Sequence, residues 1–106
     1  MSDINDIKSS LKSIREAATC VLHASGNEEF LNEFCKVMHR ELPTIAKDHD
    51  VAGVASILAR MASTIETALR RLAPVKILPA DRARLAVSYA RSLRAAIDEL
   101  MRILGD

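Results

Sequence analysis

The stretch DINDIKSSLKSIREAATCVLHA, residues 3–24, decides the fold. Within it Ile4, Ile7, Leu11, Ile14, Ala18, Val21 and Leu22 recur at three- and four-residue steps. At about 100° per residue these positions share one side of a helix, while Lys8, Lys12, Arg15, Glu16 and His23 share the other. A half-buried strand would alternate instead. Ser2 or Asp3 can accept from the free N–H groups of the first turn, and Gly26 is placed for the left-handed position after the last. A narrow strip of small side chains, Ser9, Ser13, Ala17, Cys20 and Ala24, separates the two faces.

Three further stretches carry the same period. Asn27 is an N-cap for the second helix, with Glu28 and Glu29 where the helix dipole favours carboxylates. Phe30, Leu31, Phe34, Val37, Met38 and Leu42 make its apolar face. Pro43 removes a donor and clashes one turn back, yet Ile45 stays in phase with Phe34 and Met38. The reading is a helix kinked near Pro43 that reaches about Lys47. Asp50 caps a third helix running to about Leu72 and burying Val51, Val54, Leu58, Met61, Ile65, Leu69 and Leu72. The connection from Ala73 to Pro79 is too proline-rich for a helix, and its Val75, Ile77 and Leu78 are expected to lid the bundle. A fourth helix then runs from about Ala80 to Leu104, where Gly105 ends it. Its inward face reads Leu85, Tyr89, Leu93, Ala96, Leu100, Ile103 and Leu104, widened by Ala86, Ala90, Ile97 and Met101. Short connections favour antiparallel neighbours. The whole reads as one all-α domain over residues 1–106, an antiparallel four-helix bundle.

Composition narrows the function classes. Hydrophobic residues are 49% of the 106 but aromatics only 3%, so one aliphatic core is expected. A net charge of +1 gives no general pull toward nucleic acid or membrane. No apolar run approaches the roughly 20 residues of a membrane span, and the acidic opening Met1–Asp6 does not read as a secretory signal. Two cysteines without scaffold spacing point to a reducing, cytoplasmic setting.

Reactive motifs are absent. Cys20 with His23 and Cys35 with His39 have helical ligand spacing and would together make a zinc set. Cys20 and His23, however, point about 60° apart around the helix. The structural expectation is a packed Cys20, a buried Cys35 and surface histidines, since free cysteine behaves as a small hydrophobe. No Glu precedes a histidine by three residues, as a di-iron bundle would need. No Gly-x-Ser-x-Gly occurs, and the glycines 26, 53 and 105 are isolated, so no phosphate-cradling loop forms. No catalytic, cofactor or metal site is expected, and the chain does not read as an enzyme.

Two features remain. On the third helix Ala52, Ser56, Ala59 and Ser63 form a stripe of small residues, and between Val51 and Leu69 the only charges are Arg60 and Glu66. Small side chains let another helix approach, either within the bundle or from a second molecule. Residues 60–94 also carry eight Arg and Lys against two carboxylates, a balance of +6. Of these, Arg70, Arg71, Lys76, Arg82 and Arg84 surround the third connection and could converge on an anion. The leading expectation is a non-enzymatic, self-associating interaction protein, a small regulator or adaptor whose partner is a second copy or another protein. The alternative is an anion- or nucleic-acid-binding module using residues 70–94. Scarce aromatics count against single-stranded nucleic acid.

Overall fold

Four helices follow one another with no strand among the described residues: α1 (Ser2–His23), α2 (Glu28–Ala46), α3 (Ala55–Arg71) and α4 (Pro79–Ile103). The structure is a computed structural model that describes residues 2–49, 53–73 and 77–105, the side chains of Ser2 and Asp3 excepted. The expected roles of Asp50, Val51, Ala52, Val75, Lys76 and the Ser2 or Asp3 cap therefore lie outside the described residues.

The helices form an all-α bundle. α1 packs along both α2 and α4, α2 carries α3, and α3 meets α4 only lightly. α1 and α3 thus occupy opposite corners. Fully buried Ile7, Leu11, Ile14, Phe34, Met38, Ile45, Leu58, Ile65, Leu93, Ile97 and Leu100 draw the core from every helix. Phe34 supplies its one aromatic ring.

Local chemistry sets most of the helix ends. The Asn27 side chain accepts from the N–H groups of Glu29 at 2.9 Å and Phe30 at 3.3 Å, satisfying two free donors of α2. α2 continues through Pro43 to Ala46. Pro43 is exposed, and Ile45 beyond it is 1% exposed, so the phase of the apolar face survives the missing donor. The kink itself is not confirmed. His49 Nε2 stands 2.8 Å from the Thr44 carbonyl oxygen, one of the acceptors left open by the last turn of α2. Pro79 opens α4 at a position where its missing N–H costs nothing.

Several boundaries and faces differ from the sequence reading. α3 begins at Ala55 rather than near Asp50, because Gly53 adopts φ +84°, a left-handed conformation that a right-handed helix cannot contain. Gly105 takes the same conformation beyond the end of α4, but Gly26 does not. The turn after α1 closes instead through the Asn27 N–H on the Ala24 carbonyl at 3.0 Å. Ile4, Phe30 and Ile103 were placed inward and are 39%, 37% and 48% exposed. All three lie in terminal turns, beyond the reach of the packed neighbours. Leu78 does not lid the bundle: it is 70% exposed, held extended at ψ 147° by the proline that follows.

On α4 the buried stripe is Arg82, Ala86, Ala90, Leu93, Ile97, Leu100 and Met101. Leu85, Tyr89, Ala96 and Leu104 are only half-buried, on the flank toward lightly packed α3. Small Ala86 and Ala90 face the core while the longer residues border it.

Two substitutions test this account by urea denaturation. Phe34→Ala should lower stability by about 3–5 kcal/mol through lost burial and an unfilled cavity. Gly53→Ala should cost about 1–2 kcal/mol from backbone strain alone, because nothing lies within 4 Å of an added Cβ.

Candidate functional site

The small-residue stripe on α3 faces outward. Ser56, Ala59 and Ser63 are exposed, as is Ala55, while Leu58, Met61, Ala62, Ile65 and Ala68 are buried on the opposite side. Among the described residues, no neighbour within the chain buries Ser56, Ala59 or Ser63. Arg60 borders the stripe, and Glu66 continues it one turn on. Both are exposed, and neither makes an ion pair among the described residues.

The basic cluster separates into parts. Arg82 leaves the surface entirely: it is 7% exposed, donating from Nε to the Leu72 carbonyl at 2.7 Å and from Nη2 to Asn32 Oδ1 at 3.1 Å. Its place as an anion ligand is corrected to a tie joining α2, the end of α3 and α4. The sequence held a signal for this, since position 82 is in phase with Ala86, Ala90 and Leu93. Arg70 lies along α3, 3.5 Å from Thr67 Oγ1. Arg71 turns the other way and donates to Tyr89 Oη at 3.1 Å. Arg84 reaches Asp81 at 3.7 Å. Arg71 and Arg84 do come together, lining an open hollow with Ile77, Asp81, Leu85 and Ser88.

Two larger hollows lie along α4, the first beside the turn after α1 and the second between α1 and α4. One, about 510 Å³, is lined by Ser25, Ala80, Ala83, Arg84, Val87, Ser88 and Arg91. The next, about 460 Å³, is lined by Arg15, Glu16, Thr19, Cys20, Arg94 and Asp98, with Arg15 3.4 Å from Asp98. Sequence reasoning assigned Arg91 and Arg94 to the basic region but not to these hollows, because it could not tell which flank of α4 meets α1.

Both cysteines are free thiols. Cys20, expected to be packed, is exposed and lines hollows on both sides of α1. Cys35 is half-buried, and burial pushes its thiol pKa up, an effect that the neighbouring Arg82 guanidinium partly opposes. His23 and His39 are exposed. Among the described residues no three or more of His, Cys, Asp and Glu gather as a metal-ligand set. A buried link joins α1 to α2: Ser10 Oγ, in a residue 3% exposed, donates to Glu41 Oε1 at 2.7 Å. Arg40 Nε donates to the other oxygen of Glu41 at 2.9 Å. No described helix is long and apolar enough to cross a membrane. Compared with family models, curated proteins and solved structures, the chain matches none.

The two kinds of arginine should behave differently in urea. Arg82→Met should lose about 2–3 kcal/mol, since it strands the Leu72 carbonyl. The triple change Arg70→Gln, Arg71→Gln, Arg84→Gln should move stability by less than about 1 kcal/mol. Iodoacetamide at mildly alkaline pH should modify Cys20 before Cys35, as mass spectrometry of time points would read. Equal rates would show that Cys35 is not shielded.

Proposed function

We propose that this chain is a non-enzymatic interaction module that self-associates through the outer face of α3, and that it works as a small regulator or adaptor. The observation that carries the reading is the exposed run Ala55, Ser56, Ala59 and Ser63 on the helix least held by its own bundle. An exposed helix face of that length ordinarily carries Lys and Glu, as the outer side of α1 does. Small, uncharged residues there leave two backbones free to approach.

Shape selects the occupant. In an antiparallel two-fold pairing centred near Ala59, Ala59 meets its own copy and Ala55 stands opposite Ser63, so small residues face small residues along the contact. A cytoplasmic setting, in keeping with two free thiols, belongs to the same proposal.

Light scattering tests it. The parent should show about twice the 11.6 kDa chain mass at micromolar to millimolar concentration. Ser56→Leu and Ala59→Leu should keep monomer stability, because both sites are open to solvent, yet shift the mass toward monomer. A parent that stays monomeric overturns the reading, as does a dimer indifferent to both changes.

A further inference from the structure

Arg84 and Arg91 on α4 share one hollow with Ser88 and with Ser25 of the turn after α1. Among the described residues no carboxylate lines it. The carboxylates around it line adjoining hollows, each beside another arginine: Asp81 with Arg71, and Glu28 with Arg82. Asp81 does reach Arg84, at 3.7 Å, but both side chains are more than half exposed, so the pair is loosely held. Arg91 makes no ion pair and no side-chain hydrogen bond among the described residues. The two hydroxyls are idle as well. Thr19 and Thr64 bond back to the carbonyl four residues earlier, at 2.8 and 3.1 Å. Ser88, in the middle of α4, forgoes that bond, and neither it nor Ser25 has a side-chain partner among the described residues. Steps of three and four put Arg84, Val87, Ser88 and Arg91 on one face of α4, the arginines about 10 Å apart along the axis. Half-buried Ala83 and Val87 add a small apolar surface beside them.

We infer that this hollow binds the phosphate group of a small phosphorylated molecule. The phosphate sits above Ser88, taking charge-assisted bonds from Arg84 and Arg91 along α4 and a hydroxyl donor from Ser25 across the hollow. The uncharged body of the ligand lies on Ala83 and Val87. Three observations choose this chemistry. Two guanidiniums face no carboxylate in the lining, so the ligand is an anion. Donors arrive from two elements, α4 and the turn after α1, and a tetrahedral phosphate accepts from several directions where a carboxylate accepts in one plane. Glu28 and Asp81 in the adjoining hollows interrupt the basic surface, so a long phosphate backbone would meet their repulsion. The hollow uses no residue of the α3 face, so ligand binding and self-association are separately testable.

Phenyl phosphate is the probe, titrated into the ¹⁵N-labelled full chain at constant pH and ionic strength. Shifts should concentrate at the amides of Ser25, Gly26, Arg84, Val87, Ser88 and Arg91. Phenol, which lacks the charge, should leave these amides unmoved. Inorganic phosphate should shift the same amides at lower affinity, having no ring to cover Ala83 and Val87. Arg91→Gln should weaken phenyl phosphate binding about tenfold, and Ser88→Ala about threefold, while Tm holds or rises in both. Neither side chain has a partner to lose, so folding is not at issue. Unchanged affinity in Arg91→Gln, shifts scattered over other faces, or equal binding of benzoate each overturn the inference. Duplex DNA that saturates the same amides at far lower concentration than phenyl phosphate also overturns it and makes the surface one for nucleic acid.

Discussion

One buried guanidinium sets the geometry at the end of the bundle where α3 stops and α4 starts. α3 meets α4 only lightly, so side-chain packing alone fixes their relation weakly. Arg82 replaces that packing with directed bonds. Its Nε satisfies the Leu72 carbonyl, one of the acceptors a helix end leaves open, and its Nη2 reaches Asn32 on α2. Burying a charge is costly, and both of these partners are neutral. The position is tolerable because charge-assisted bonds to well-placed oxygens are roughly twice as strong as neutral ones. Cys35 registers the same environment: desolvation raises its thiol pKa even though the adjacent cation pulls the other way.

Fixing that corner determines what the surface has left to offer. With Arg82 turned inward, the bases facing water around the connection among the described residues are Arg70, Arg71 and Arg84. Adjacent residues on a helix point about 100° apart, so Arg70 and Arg71 cannot serve one ligand face together. Arg71 goes to Tyr89 and Arg70 goes to Thr67. Farther along α4, Arg84 and Arg91 line one hollow, while Arg94 shares the next with Arg15, Glu16 and Asp98, where the charges balance.

The division between what the sequence disclosed and what it did not follows from the information in a period. Spacing of three and four places Ile7, Leu11 and Ile14 on one side of α1 without reference to any neighbour, and capping chemistry at Asn27 is local. Both were legible. The width of the apolar stripe on α4 was not enough to orient it. Ala86 and Ala90 or Leu85 and Tyr89 could each have faced inward, and the choice rested on how closely α1 and α3 approach. The start of α3 turned on the φ of Gly53, which residue type permits but does not dictate. Arg82 was misplaced because arginine is usually exposed, a statistical expectation that outweighed its phase within the stripe. For α3, periodicity put Ser56, Ala59 and Ser63 on one face correctly. That this face points away from the core is a fact of tertiary packing.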